Sequence, residues 1–204
     1  MRIFLVGYMG CGKSTIGRKI AALLGISFVD LDKYIEERYF KSVPLIFAEE
    51  GEEGFREKER VSLYEVSQFE DIVVGTGGGA PCFFDNMELM NTSGITIYIA
   101  PDTEVLATRL LKSRTVRPLI VGKSREELIS FINNALLKRA PFYEKSKIII
   151  RGENNLDPQY VINLIENFKV FTLIRNEITH NTSFHTIRQP VFVGNATECI
   201  NNIP

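Results

Sequence analysis

The sequence predicts an α/β fold, a parallel sheet covered by helices on both faces. Three observations carry the prediction. Short apolar runs alternate along the chain with segments whose apolar residues recur at helical spacing, the pattern of strand–helix–strand units. The runs are apolar without a polar alternation, as in strands buried on both sides. Two of them end in glycine-rich turns and another in a pair of aspartates, and sheets of this kind bind ligands beyond the carboxyl ends of their strands.

Taken in order, Arg2 to Val6 (RIFLV) is the first strand, and the glycine-rich turn Gly7 to Gly12 follows it. Ile16, Ile20, Leu23 and Leu24 fall at i, i+4, i+7 and i+8, the buried stripe of a helix that Gly25 ends. Ile26 to Val29 is a second strand and leads to Asp30 and Asp32. Helical patterns run from about Tyr34 to Phe69, with a break near Gly51. Asp71 to Val74 is a third strand, ending in Gly75-Thr76-Gly77-Gly78-Gly79, and Ile95 to Ile99 is a fourth. Thr103 to Leu111 is helical. A stretch rich in charge and turn formers, Lys112 to Arg125, contains Arg114, Arg117 and Pro118 and has the composition of a mobile flap. A helix from about Glu126 to Tyr143, a strand from Lys147 to Ile150 and a helix marked by Val161, Leu164, Ile165 and Phe168 complete the pattern. From Lys169 to Pro204 charges thin out and no long periodicity remains, so this part reads as an appendage to a domain spanning 1–168.

Composition removes several function classes. The 204 residues carry 24 Lys+Arg against 25 Asp+Glu, a net charge of −1, which disfavours a broadly basic nucleic-acid binder. The longest apolar run, Ile3 to Cys11, falls far short of the roughly 20 residues of a membrane-spanning helix, so no membrane partner is expected. The only histidines, His180 and His185, lie near the C-terminus. A site in the body of the chain therefore works without histidine, which disfavours a Ser-His-Asp triad, a Cys-His pair or a His-ligated zinc. Cys11, Cys82 and Cys199 are odd in number, far apart and without metal spacing, as expected for a reducing cytoplasm.

Gly7-Tyr8-Met9-Gly10-Cys11-Gly12-Lys13-Ser14 fits G-x-x-x-x-G-K-[ST] in full, and Thr15 follows. The glycines let successive backbone N–H groups turn inward around phosphate oxygens, and the next helix points its positive end at the same anion. Lys13 supplies a cation for the β- and γ-phosphates, and the Ser14 hydroxyl is placed to ligate Mg²⁺. A strand before the motif and an amphipathic helix after it argue against a chance glycine turn. Cys11 occupies a variable position and reads as a small filler.

Asp30 and Asp32 stand at alternate positions at the end of a strand, able to point the same way. Two carboxylates beside ATP repel it unless a metal or a donor hydroxyl separates them. One is therefore expected to serve Mg²⁺ through water, and the other to accept a hydrogen bond from an attacking hydroxyl. The alternative is that both only cap the following helix. An anionic acceptor would be repelled by Asp32, whereas an alcohol would be oriented by it. Arg56, Arg117 and Arg139 suit carboxylate or phosphate recognition, although each taken alone reads as a solvated surface charge, Arg56 with helical partners such as Glu52, Glu53, Glu57 and Glu59. The cluster Thr76 to Gly79 offers backbone N–H groups to a ligand or merely turns the chain.

Together GYMGCGKSTIGR, FVDLD, GEEGFREKE, GTGGG, VRPLI and RAPFY resemble the shikimate kinase family, in that family's order and spacing, over about Arg2 to Phe168. The resemblance implies a three-layer P-loop kinase fold of the nucleoside-monophosphate-kinase-like group, with a five-stranded parallel sheet flanked by helices and a mobile lid at about 112–125. It implies transfer of the γ-phosphoryl group of ATP to the 3-hydroxyl of shikimate, giving shikimate 3-phosphate and ADP on the route to chorismate and the aromatic amino acids. Gly10, Cys11, Gly12, Lys13, Ser14 and Thr15 would then bind ATP phosphates, with Mg²⁺ on Ser14 and, through water, on Asp30. Asp32 would hold shikimate hydroxyls and act as the base or orienting group. Arg56 and Arg139 would clamp the shikimate carboxylate, and the Gly78 backbone would contact a hydroxyl. Arg117 would come down with the lid onto the phosphates, and Arg109 and Asn155 would lie against adenine. The partners implied are ATP and shikimate, and the family is commonly monomeric. Cys11 stands where the family often has a smaller Ala or Ser, and the tail 169–204 has no role in the resemblance.

Two other readings stay open on the residues. Another small-metabolite kinase, such as a gluconate kinase, would also take a polyol carboxylate, but with acceptor motifs other than GEEGFR and GTGGG. A nucleotide-responsive module without turnover would have lost Lys13, Asp32 or the lid arginine, and all three are present.

Overall fold

Each of the five apolar runs forms a strand within a residue or two of its expected span: β1 (Arg2–Val6), β2 (Ser27–Asp30), β3 (Ile72–Gly75), β4 (Ile95–Ala100) and β5 (Ile148–Arg151). The computed structural model describes residues 1–113, 120–152, 156–181 and 192–194, and of 176–181 and 192–194 the backbone alone. With a sixth strand, β6 (Phe192–Gly194), every pairing is parallel, in the order β2-β3-β1-β4-β5-β6. The chain thus reverses its direction of travel across the sheet at β1, and ligands bind beyond the carboxyl ends of strands at such a switch. Strand β6 comes from the C-terminal segment and pairs with β5 in the register Ile148↔Phe192 and Ile150↔Gly194. It adds an edge to the five strands expected. Three residues are too short a run to carry a period, so the sequence gives no sign of it.

Alternation along β1 divides the interior. Ile3 and Leu5 face one layer, where they pack with Ile16 and Ile20 of α1 (Lys13–Leu24). Phe4 and Val6 face the other, with Leu31 and Ile35 of α2 (Leu31–Tyr39). All four β1 side chains are fully buried, each contributing about 1.5–3 kcal/mol by leaving water. Because this strand is clamped from both sides, the loop that follows it has a fixed origin.

The remaining helices are α3 (Val43–Val66), α4 (Asn86–Ser93), α5 (Thr103–Lys112), α6 (Arg125–Tyr143) and α7 (Pro158–Asn181). Gly25 caps α1 in a left-handed conformation, as its position after the apolar stripe predicts. Gly51 interrupts α3 with φ 71° and ψ −172°, a conformation open essentially to glycine alone, so the expected break is a bend within one long element. α6 opens with a capping box in which Ser124 Oγ accepts from Glu127 N–H and the Glu127 carboxylate accepts from Ser124 N–H. α4, and a 3₁₀ turn at Ala80–Cys82, lie where no element was expected. α7 starts earlier than its apolar marks and runs on past 168 into the tail. Its first half buries Val161, Leu164 and Ile165, while Val170, Leu173 and Ile174 are exposed. Among the described residues no helix is long and apolar enough to cross a membrane.

Candidate active site

The loop between β1 and α1 takes its shape from glycine. Gly12 holds φ 104° as the N-cap of α1, leaving the first N–H groups of the helix without side-chain caps and directed at the loop's hollow. Lys13 is buried, and its ammonium donates to Gly7 O (2.8 Å), Tyr8 O (3.1 Å) and, more weakly, Cys11 Sγ (3.6 Å). A buried ammonium held by carbonyl oxygens is a fixed positive charge beside an anion site. The loop residues Gly10 to Thr15 line a cleft of about 630 Å³, together with Arg109, Leu110 and Leu156. Arg109 Nη1 donates to Cys11 O at 2.9 Å, so this arginine braces the loop from α5 while facing the cleft. Cys11 is a buried free thiol within the loop.

The two aspartates divide. Asp30 ends β2 and is the N-cap residue of α2, yet its side chain makes no capping bond. Its carboxylate instead accepts from the Ser14 hydroxyl at 2.7 Å. Two hard oxygen donors joined at the phosphate loop match what Mg²⁺ takes from protein, one or two oxygens, the rest being water and phosphate. Asp32 lies in the first turn of α2 rather than on the strand. By surface area the residue is exposed, yet the protein packed around its carboxyl group displaces part of its hydration. That burial, joined by the charge of Asp30, raises its pKa, against opposing pulls from Lys13 and Arg56.

Next to Asp32 the backbone of the glycine run after β3 passes through a gap with no room for side chains. A Cβ on Gly77 would stand 2.8 Å from Glu59 Oε1 and 3.0 Å from Asp32 Oδ1. Arg56 does not behave as a solvated charge, since its side chain is only 11% exposed. It donates to Glu59 Oε2 at 2.7 Å and to Glu52 Oε1 at 3.1 Å, and its guanidinium lies over the Phe83 ring at 4.1 Å. Arg139 comes from α6, donates to Gly78 O at 3.3 Å and lies over the Tyr8 ring at 5.4 Å. Two guanidinium groups from different helices therefore converge on Gly77 to Gly79, with Asp32 and the phosphate loop alongside. That combination suits a hydroxylated carboxylate next to a nucleotide's phosphates.

Glu59 is the residue whose part the sequence did not disclose. Three positions after Arg56 on a helix, it reads as half of an ordinary surface ion pair. In the fold it is 1% exposed, and burial pushes its pKa up to about 7, with the Arg56 charge opposing. Among the described residues its Oε1 has no hydrogen-bond partner, and it lies close to Gly77, as Asp32 Oδ1 does. Tyr143, within RAPFY, has no role legible in the sequence either, and in the fold its hydroxyl donates to Gly78 O. The structure brings together Lys13, Ser14, Asp30, Asp32, Arg56, Gly78 and Arg139, with Thr15 and Arg109 lining the cleft beside the loop. Arg117, most of the lid's tip and Asn155 lie outside the described residues.

Comparison with known proteins gives a consistent picture. A family model described as shikimate kinase matches residues 9–169. A shikimate kinase of Parabacteroides distasonis is 57% identical over 155 residues, 76% of this chain and 90% of the relative, and one of Phocaeicola vulgatus is 51% identical over 160 residues, 78% and 91%. Among solved structures, shikimate kinase from Bacteroides thetaiotaomicron superposes with a TM-score of 0.78 at 47% identity, covering 81% of this chain and 98% of that one. Shikimate kinase from Acinetobacter baumannii in complex with shikimate gives 0.71 at 35% identity, covering 81% and 93%.

Proposed function

The chain belongs to the shikimate kinase family, an ATP-dependent phosphoryltransferase of shikimate, and from that premise we propose how its own residues carry out the transfer to the 3-hydroxyl. The carrying observation is the convergence of Arg56 and Arg139 on the Gly77–Gly79 backbone, beside Asp32 and one wall away from the phosphate loop. Arg56 and Arg139 hold the acceptor's carboxylate, giving it direction as well as affinity through their paired donors. The Gly78 backbone meets a ring hydroxyl. Asp32 faces the 3-hydroxyl and accepts its proton as the oxygen attacks. The raised pKa favours that step, because a more basic carboxylate is the better acceptor near neutral pH.

On the other side Lys13 and the N–H groups of Gly10 to Thr15 bind the β- and γ-phosphates. Ser14 and Asp30 would hold Mg²⁺, the latter through water, and the ion would neutralise charge on the phosphates. A bond forms between the acceptor oxygen and the γ-phosphorus, the bond from that phosphorus to the bridging oxygen breaks, and ADP leaves with the electron pair. Arg109 and Asn155 are assigned to the adenine side, and Arg117 to a lid that excludes water and adds charge at the phosphates. We read the protein as a monomer of the cytoplasm, without nucleic-acid or membrane partners.

The test is ADP release with shikimate, gluconate, AMP or no acceptor. Turnover is expected with shikimate alone. Equal or greater turnover with gluconate or AMP, or none with shikimate, would overturn the reading.

A further inference from the structure

The Gly78 peptide is held from two sides. Its carbonyl oxygen accepts from Arg139 Nη1 at 3.3 Å and from the Tyr143 hydroxyl. On the other side the residue is pressed against the phosphate loop, since a Cβ there would stand 3.3 Å from Met9 N and 3.5 Å from Gly7 O. Gly7 O is also an acceptor for Lys13 Nζ. One peptide therefore joins the end of α6, the acceptor pocket and the loop that holds the phosphates.

Tyr143 is built for a fixed position. It is fully buried, one turn beyond Arg139 on α6, with its ring 5.0 Å from that of Tyr98. Burial raises the pKa of its phenol, so the hydroxyl keeps its proton and acts as a donor at any working pH. The glycines it serves have the most backbone freedom of any residue and no side chains to lock them. Arg139 cannot replace the tyrosine without cost, because the same guanidinium is needed by the substrate carboxylate.

We propose that Tyr143 is a positioning residue for the acceptor: its hydroxyl fixes the Gly78 peptide, so that the Gly78 backbone and Arg139 meet shikimate in register with the phosphate loop. When Arg139 turns toward the carboxylate, the tyrosine keeps the carbonyl in place. The inference rests on the acceptor site proposed above.

Tyr143→Phe isolates the effect, because the ring and its packing on Tyr98 remain and only the hydroxyl goes. The KM for shikimate is expected to rise about three- to tenfold, the range one lost hydrogen bond gives, while kcat and the KM for ATP stay within about twofold. A purely structural hydroxyl would lower the melting temperature and the active fraction but leave the shikimate KM in place. An unchanged shikimate KM in a folded variant overturns the proposal. Absence of shikimate-dependent turnover in the unaltered protein, by contrast, fails the acceptor-site reading on which it stands, so the two failures are distinguishable.

Discussion

In the proposed reaction Asp32 takes the acceptor's proton, and its loss is expected to separate binding from reaction. Asp32→Asn keeps the shape and the hydrogen-bonding reach but cannot take a proton. A positioned base contributes about 10²–10⁴ in rate, so kcat is expected to fall at least about a hundredfold while ATP still binds, read by steady-state kinetics beside nucleotide titration. A kcat within a few-fold of the starting value would remove the proposed role. Glu59 gives a prediction of a different kind. Its pKa rises from the ordinary 4.5 to about 7 in the fold. Between those values the folded state binds more protons than the unfolded one. The stability tied to this proton is therefore complete below about pH 4.5 and is lost as pH rises through 7. Glu59→Gln should flatten the fall in melting temperature between pH 5 and 8, and an unaltered slope would show that Glu59 is not the titrating group. The lowered pKa values of Glu36, Glu65 and Asp71 act on stability at more acid pH, whereas Asp32, also raised, loses stability in the same direction as Glu59, so Glu59→Gln is expected to reduce the fall rather than abolish it. The phosphate-loop residues were legible in the sequence because their spacing is the chemistry. Glu59 was not, since an (i, i+3) Arg–Glu pair looks the same whether water or protein surrounds it.

Among the elements, α3 links fold to acceptor site through its bend. Gly51 holds a conformation that side chains reject, and nothing lies within 4 Å of where its Cβ would go. Gly51→Ala therefore adds backbone strain and no clash, about 1–3 kcal/mol if the bend is kept. Phe55 and Arg56 follow one turn later, so straightening would move the arginine away from Gly79. The expected outcome is a lower melting temperature together with a raised shikimate KM and an unchanged ATP KM. Equal changes in both KM values would place the effect outside the acceptor side. The same bend was visible in the sequence as a glycine between two helical patterns. So were the five strands, whose unbroken apolar runs admit few other uses. α4 escaped notice because Met87 and Met90 are its only large buried side chains, too few to define a stripe. The C-terminal half of α7 escaped because its apolar residues, Val170, Leu173 and Ile174, face outward and trace no buried face.

For the molecule as a whole, the question is what the segment after Phe168 adds. The solved Bacteroides thetaiotaomicron relative is covered over 98% of its length by 81% of this chain, so a protein of that kind completes its fold with fewer residues. Here α7 buries Val161, Ile162, Leu164 and Ile165 before position 168, and every group proposed to bind or react, apart from Arg117 and Asn155, lies in the described parts between Gly10 and Arg139. Past that point the chain provides an outward apolar helix and β6, which hydrogen-bonds to β5 and takes over the exposed edge of the sheet. An open strand edge is a template for pairing between molecules. Ending the chain after Phe168 is therefore expected to leave kcat and both KM values within about twofold, lower the melting temperature by a few degrees, and alter aggregation in one of two directions. Loss of β6 uncovers β5 and favours association, whereas loss of Val170, Leu173 and Ile174 removes apolar surface and opposes it. A second variant ending after Asn181 keeps the helix and removes only β6, so it should aggregate more than either the full chain or the shorter one, as followed by light scattering on heating. If instead the folded variant ending at Phe168 lost more than tenfold in kcat, the extension would belong to the catalytic unit, and the division at 168 would have to be abandoned.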